Sequence, residues 1–514
     1  MTTIVYINHC IDIIFIRRLF MVTFILGLVA LLFGYLIYGK IAEKIYGIKP
    51  DAETPAFRMG DGVDYIPMSK WKCLFFHLIN IAGTGPIFGA IAGALFGPAA
   101  FVWIVFGCIF AGAVHDFMLS MMSMRYDGSL LGDLVGKFLG QGAMKAMRVF
   151  TLVLMVLVGV VFTTSPAMVL QNLFAKGNTQ FYYIVIACIM VYYVIATVIP
   201  VDKIIGRIYP LFGIIMLFMA VAMISFIFIS GDFKNIPELA FENLRPDKGT
   251  NMMAKIFPFL FITIACGAIS GFHGTQGPIT ARCMKSEKQG RMVFYGAMIL
   301  EGAIAMTWAA VTMGHFNHVG KATAIAAPVI VTESAIGYLG PIGGALAVIG
   351  VALFPITTGD TAFRGARLIV ADWLKFDQKP YRNRFILCIP LFAAGILLTM
   401  FSVASAQNFN IMWRYFAWAN QTLATFGLWT VSAYLAKAGK NYWISLVPGT
   451  FMTTVVTTYF FTANECLGPM ITAMTGNKET TYAIGICIGL AMAIFLFVMF
   501  ITKIATKQKG TIKD

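Results

Sequence analysis

The stretches NIAGTGPIFG (residues 80–89) and GAISGFHGTQGP (residues 267–278) each interrupt a long hydrophobic segment. Glycine and proline unwind helices, and unwound backbone inside a bilayer is tolerated only where it lines a cavity or is buried in protein. Close helix packing through small residues explains a single break. Two breaks at corresponding positions favour a solute site between them.

The composition is typical of a polytopic helical membrane protein. Of the 514 residues, 59% are hydrophobic and 12% are charged, whereas soluble domains are about 25% charged. These values exclude a soluble globular enzyme, a disordered chain and a disulfide scaffold. The nine cysteines show no metal-ligand spacing, and no HExxH or GxSxG motif occurs. We therefore predict no enzyme activity, no metal site and no cofactor beyond a coupling ion.

Hydropathy predicts thirteen membrane-spanning segments. They cover residues 20–39, 72–97, 99–122, 147–170, 181–199, 208–230, 253–280, 291–313, 338–357, 384–402, 413–436, 443–462 and 482–503. With the loop 40–71 inside and the sides alternating, the inner connections and their edges hold 28 Lys and Arg, and the outer ones hold 8. This asymmetry predicts an outer N-terminus and a cytoplasmic C-terminus. It also explains the net charge of +15 without a nucleic-acid partner.

The order of the spans predicts an inverted repeat. Spans 2–6 and 7–11 form two five-helix units of opposite topology, and each unit begins with a broken helix. That is the 5+5 arrangement of leucine/sodium-symporter-type transporters of the APC superfamily, with one helix before it and two after. In that fold the exposed segment 314–337 takes the place of an extracellular lid.

The predicted division of the chain follows from these spans. It runs 21–71 (first helix and cytoplasmic loop), 72–230 (repeat 1), 231–252 (extracellular loop), 253–436 (repeat 2) and 437–514 (two helices and tail). Arg17 and Arg18 lie on the wrong side for this topology, and Met21 follows them. We expect residues 1–20 to be an over-extended start, with a cleaved signal as the alternative.

Several stretches resemble the carbon starvation A family of inner-membrane transporters, and its shorter branch in particular. They are PAFRMGDGVDYIP (55–67), NIAGTGPIFG (80–89), AGAVHDF (111–117), FPFLFITIACGAISGFHGTQGPITARC (257–283), GDTAFRGARLIVADWLK (359–375) and WRYFAWANQTLAT (413–425). The resemblance implies uptake of small nutrients such as peptides or pyruvate on carbon starvation, driven by protons. Thr84 stands where many relatives have alanine, and its hydroxyl adds a contact for substrate or ion.

We expect the substrate between the two breaks. The half-helix N-termini there offer N–H groups and a positive dipole end to a carboxylate. The predicted substrate residues are Gly83, Thr84, Gly85, Pro86, Ser270, Gly271, His273 and Thr275.

Ionisable side chains inside the spans are candidates for ion or proton coupling, because they are costly to bury. Glu301 lies near the middle of span 8, and the alternative is a structural carboxyl. His77 lies in the inner half of span 2, where a satisfied core histidine is the simpler interpretation. His115 and Asp116 are adjacent, so a helix sets them about 100° apart on different faces. Gating or packing explains this pair as well as coupling does.

Thr357, Thr358 and Asp360 end the predicted span 9. In the symporter fold, hydroxyls on the corresponding helix bind sodium, so these residues are further candidates for a cation or proton site. A polar helix end is the alternative. Asn420 and Gln421 lie inside span 11 and favour interhelical hydrogen bonding.

The leading hypothesis is a proton-coupled secondary transporter in the inner membrane, with sodium as the alternative ion. The protein would work by alternating access on a small peptide, amino acid or monocarboxylate. A membrane sensor acting with a partner protein is the second hypothesis. An intramembrane enzyme is the third, but the sequence offers no nucleophile–base or metal set for it, and a channel stays open as a further alternative.

Overall fold

The computed structural model describes residues 21–62, 64–198, 202–238, 244–245, 251–318, 326–377 and 380–512. The expected over-extended start, residues 1–20, lies outside the described residues. Within them the fold is all-helical, and the only extended pairing is an isolated bridge between Met68 and Met284.

Seventeen of the helices in the described residues are labelled here in chain order. They are α1 (Val22–Tyr46), α2 (Lys70–Ala82), α3 (Gly85–Phe96), α4 (Ala99–Arg125), α5 (Leu131–Leu139), α6 (Gln141–Phe174), α7 (Thr179–Val198), α8 (Asp202–Ser230), α9 (Ile256–Thr263), α10 (Gly271–Ala281), α11 (Gly296–His318), α12 (Ala327–Leu374), α13 (Tyr381–Val403), α14 (Ala406–Lys437), α15 (Trp443–Thr462), α16 (Gly468–Thr475) and α17 (Lys478–Phe500).

The helices account for the thirteen predicted spans. Ten helical segments of the described chain are long and apolar enough to cross a membrane, and the bent pair α2–α3 makes eleven. The broken pair α9–α10 and helix α14 occupy the positions of the remaining two. Helix α14 is less apolar because much of it is buried against protein, where Asn420 and Gln421 find polar partners.

The first break bends the chain by 48° between α2 and α3. Gly83 has φ +44° there, a conformation that L side chains rarely adopt. A Cβ atom on Gly83 would lie 2.6 Å from the ring of Phe162 on α6. Thr84 begins the new half-helix, and its carbonyl accepts a hydrogen bond from the Phe88 N–H at 2.8 Å. Glycine therefore both permits the turn and leaves room for α6.

The second break leaves residues 264–270 non-helical between α9 and α10. Gly267 has φ +90°, and Ser270 is extended just before α10 begins. The two breaks lie side by side, because a Cβ on Gly85 would come within 2.4 Å of Cys266 Sγ. The predicted pairing of the broken helices is confirmed by this contact.

Helix α12 differs from the prediction for span 9. It begins at Ala327, turns at Gly340 (φ +70°, ψ 177°) and continues to Leu374. The helix therefore does not end at Thr357, Thr358 and Asp360, and all three lie well inside it. Hydropathy falls at these residues since the helix turns a polar face towards neighbouring helices, where it is buried.

The first testable consequence concerns Gly83. We expect Gly83→Ala to reduce the free energy of unfolding by about 1–3 kcal/mol more than Gly177→Ala does, because only the former pushes a methyl group into an aromatic ring. Gly177 is a matched control, with φ +81° and no atom within 4 Å of the added Cβ. Melting temperatures of the two purified variants in detergent measure the difference. Equal losses would show that Phe162 does not confine the break.

Candidate functional site

Four buried ionisable side chains form a continuous chain beside the second break. His115 Nδ1 lies 2.8 Å from Asp116 Oδ1, and Asp116 Oδ2 lies 2.7 Å from His273 Nδ1. His273 Nε2 in turn lies 3.2 Å from Glu301 Oε2. We call these four residues the His–Asp quartet. They join α4, α10 and α11, and each is at most 1% exposed.

The contact between His273 Nε2 and Glu301 Oε2 is an ion pair that does not meet the geometry of a hydrogen bond. Both Glu301 oxygens and His273 Nε2 have no hydrogen-bond partner in the part of the chain that the structure describes. A carboxyl group in this position has acceptor capacity left for a proton. Glu301 is therefore the open end of the quartet.

The quartet corrects one expectation from the sequence. His115 and Asp116 were expected to point to different faces, yet their side chains are hydrogen-bonded to each other. Asp116 lies between the two histidines and contacts each of them through a different carboxylate oxygen. Adjacent residues can meet in this way when their side chains are long enough to converge beyond the helix surface.

Cys266, in the second break, completes the polar surroundings of the quartet. Its Sγ, an imidazole nitrogen of His273 and a carboxylate oxygen of Glu301 lie within 4.8 Å of one another. The positions of these three residues in the sequence did not predict that they lie together. The prediction that the chain has no metal site stays a prediction, since a thiol, an imidazole and a carboxylate are donors that zinc also uses.

Asn420 on α14 holds the start of α10. Its Oδ1 accepts hydrogen bonds from the backbone N–H of Phe272 at 2.7 Å and from the Ser270 hydroxyl at 3.1 Å. The predicted interhelical role of this amide is thus confirmed. One backbone N–H at the N-terminus of α10 therefore already has an acceptor, so fewer N–H groups remain there for a solute.

The first break has a matching but looser arrangement. The Thr84 and Ser165 hydroxyl oxygens lie 3.3 Å apart, which links the break to α6. Asn80, one turn before the break, is fully buried, and neither its Oδ1 nor its Nδ2 has a hydrogen-bond partner among the described residues. An unpaired buried amide costs about 1–3 kcal/mol. Asn80 is a functional candidate that the sequence reasoning missed, although it begins the stretch 80–89 quoted above.

Thr275 differs from the other predicted substrate residues because it is only half-buried. Its hydroxyl donates to the Phe272 carbonyl at 2.6 Å, and its side chain lines a small cavity of about 30 Å³ that also reaches Met155. Thr84, Ser270 and His273 are at most 1% exposed. The site between the breaks is therefore closed, with a cavity one helical turn away.

The remaining coupling candidates lie apart from the quartet. Thr358 donates to the Ile79 carbonyl at 3.1 Å, beside the first broken helix. His77 Nδ1 lies 3.1 Å from Thr280 Oγ1. The structure does not unite the three residues predicted as one cation site, because Thr358 bonds to the first broken helix whereas Asp360 bonds to Tyr192. Thr357 donates to the Phe354 carbonyl of its own helix at 2.8 Å. Asp360 faces away from that break.

Asp360 belongs to a separate buried group between α7 and α12. Its Oδ2 accepts a hydrogen bond from the Tyr192 hydroxyl at 2.7 Å. One turn further along, Arg364 donates to the Ala196 carbonyl at 2.7 Å, in the last turn of α7. This is a stabilising contact for a helix C-terminus. Arg364 is only 7% exposed, so its charge is buried between helices.

Comparison with known proteins agrees with these features. The model of the family described as "Carbon starvation protein CstA" matches residues 19–190, 167–338 and 319–459. An uncharacterized membrane protein of Haemophilus influenzae is 43% identical over 345 residues, which cover 59% of this chain and 93% of that protein. The peptide transporter CstA of Campylobacter jejuni is 27% identical over 543 aligned positions, covering 82% of this chain and 76% of the relative.

One further relative and one solved structure extend the comparison. The pyruvate/proton symporter BtsT of Escherichia coli is 27% identical over 326 residues, covering 52% of this chain and 45% of the symporter. The crystal structure of MhsT in complex with L-phenylalanine matches with a TM-score of 0.54 and 14% identity, covering 84% of this chain and 99% of that one. At this identity the likeness shows the fold alone, which is the predicted leucine/sodium-symporter type.

The Asn420 cap leads to a second testable consequence. We expect Asn420→Ala to lower the free energy of unfolding by about 2–3 kcal/mol, because a buried N–H and a buried hydroxyl lose their acceptor. Asn408→Ala is the control, since this exposed amide on the same helix donates to the Phe401 carbonyl; we expect its loss to stay below about 1 kcal/mol. Thermal unfolding in detergent compares the two, and equal shifts would contradict the cap.

Proposed function

The chain belongs to the carbon starvation protein CstA family, and on that premise we propose that it is a secondary active transporter that imports a small nutrient by alternating access. The observation that carries this proposal is the contact between two broken helices beside a buried chain of ionisable groups. A solute held at the breaks lies next to groups that can take up a proton. The transporter names of several relatives support the same class of function.

We propose a solute that bears a carboxylate, either a small peptide or a monocarboxylate such as pyruvate. The half-helices α3 and α10 begin at the breaks, where backbone N–H groups and the positive end of the helix dipole favour an anion. The Thr84 and Ser270 hydroxyls lie in the same region, and Asn80 supplies an unpaired amide. The names of a peptide transporter and of a pyruvate symporter among the relatives support this class.

The coupling step that we propose is protonation of the His–Asp quartet at Glu301. With His273 protonated and both carboxyl groups ionised, the quartet carries one net negative charge. One additional proton makes it neutral, and a neutral group is less costly to bury in a dry interior. Opening to one side exposes Glu301 for loading, and opening to the other side allows its release.

The other quartet members act on His273. Asp116 accepts from Nδ1, which fixes the orientation of the ring and directs Nε2 towards Glu301. His115 holds the second Asp116 oxygen. In the quartet, His115 and Asp116 therefore orient the ring of His273, and His273 and Glu301 share the proton. These residues lie on α4, which precedes the second break in the chain, and on α10 and α11, which follow it.

The location follows the charge distribution. We propose the inner membrane, with the N-terminus outside and the C-terminus in the cytoplasm, because the alternation of 28 and 8 basic residues supports this orientation. The description of the family supports use of the carrier during carbon starvation.

Glu301→Gln tests the coupling step. We expect accumulation driven by an inward pH gradient to fall to background, because an amide cannot carry the proton, while exchange of labelled for unlabelled solute persists. Glu479→Gln is the control, since this exposed carboxylate pairs only with Lys255 in the identified contacts. The measurement uses proteoliposomes with a metal chelator present, so that a metal at Cys266, His273 and Glu301 does not contribute. Unchanged accumulation would remove Glu301 from the coupling step.

Uptake of labelled pyruvate under the same gradient tests the solute class. We expect accumulation above the no-gradient control, with unlabelled di- and tripeptides as competitors. Pyruvate uptake that peptides leave unchanged would identify a monocarboxylate carrier, and inhibition by peptides would identify a peptide carrier. Binding without uptake of any of these solutes would overturn the transporter proposal in favour of a sensor.

A further inference from the structure

The cavity beside Thr275 adjoins a second cavity, because the two share lining residues. It lies between α6, α10 and α12, and its walls are largely apolar. Among its lining residues are Met155, Ile279, Leu368 and Ile369. Thr275 lines it on α10, two residues beyond His273 of the quartet. The cavity is also lined by Asp133, Arg148 and Asp372.

A second, wider cavity lies next to the first, on the side away from Thr275. It has a volume of about 460 Å³, and it is lined by Tyr65, Arg282 and Lys375 among other residues. The two cavities share four lining residues: Leu130, Asp133, Leu368 and Asp372. Arg148 lines only the inner cavity. The shared residues therefore form a neck between the two spaces.

Arg148 bridges this neck with two ion pairs. Its Nη2 donates to Asp133 Oδ1 at 2.7 Å and to Asp372 Oδ2 at 2.6 Å. These contacts tie the start of α6 to α5 on one side and to the end of α12 on the other. Gly132 allows the approach, because a Cβ there would lie 3.1 Å from Arg148 Cγ.

We propose that Arg148, Asp133 and Asp372 form a gate that closes the inner cavity from the outer one. The proposal rests on the proposed transport function, because it assigns the two cavities to the path of the solute. Two charge-assisted hydrogen bonds hold the gate closed. Both carboxylates border the outer cavity and are 39% and 51% exposed, whereas Arg148 is 19% exposed. Water can therefore replace the carboxylate contacts when the gate opens.

Cysteine accessibility tests the gate without any transport. Ile279→Cys places a thiol on the inner cavity wall of the full chain, and a bulky, charged maleimide labels the detergent-solubilised protein from either face. We expect Arg148→Ala, and separately the pair Asp133→Asn with Asp372→Asn, to raise the labelling rate of Cys at 279 about tenfold. The parent chain without this substitution gives the background from the native cysteines.

Two controls separate the gate from general loosening. Lys255→Ala breaks an ion pair of comparable length, with Glu479 at 2.5 Å, at a site that does not line either cavity, and should leave the rate unchanged. Arg148→Lys retains the charge and should stay near the parent rate. Gel filtration shows which variants are folded.

The outcomes are decisive in each direction. Faster labelling in both gate variants, with the controls unchanged, supports the proposal. A parental rate in folded Arg148→Ala or in the folded Asp133/Asp372 variant overturns it, and so does an equal rise with Lys255→Ala. Failure of pyruvate and peptide uptake would overturn the transport function without altering these labelling rates, so the two failures are distinguishable.

Discussion

The whole arrangement depends on the cost of unwound backbone inside a membrane. Two interrupted helices leave N–H and C=O groups that no lipid can satisfy, so protein groups must surround both breaks. Asn420 caps the start of α10, and Gln421 donates to the Phe261 carbonyl at the end of α9. Helix α14 is consequently polar and buried, which is why it does not have the apolar character of a lipid-facing span. The positions of the breaks therefore determine which helices must surround them and be buried in protein.

Buried charge imposes a second constraint on the same region. Asp116 and Glu301 are tolerated because His273 lies between them and because His115 binds the remaining Asp116 oxygen. Removing one partner from such a set leaves an uncompensated charge, which is more costly than the intact set is stabilising. The positions of α4, α10 and α11 are therefore linked through side chains as well as through packing. Any movement of α10 therefore changes the contacts of His273 with both carboxylates.

The sequence predicted the helical class, the span order, both breaks and most of the residues at them, because hydropathy and Gly/Pro placement are local signals. It predicted Glu301 and His273 separately, but not the contact between them, since that contact joins helices whose relative rotation hydropathy does not specify. Asp360 was grouped with Thr358 by analogy with the symporter fold, yet the helix continues and Asp360 accepts a hydrogen bond from Tyr192. Asn80 was missed because the sequence does not show that its buried amide lacks hydrogen-bond partners.

The polar character of α14 also has a consequence for biogenesis. A helix that falls below the apolarity of the other spans is poorly retained by a bilayer on its own. Gln421 and Asn420 reach favourable partners only when α9 and α10 are already present, since those helices supply the carbonyl and N–H groups that these amides use. Stable integration of α14 thus requires helices made more than a hundred residues earlier, and the site between the breaks is completed only after synthesis has passed Lys437.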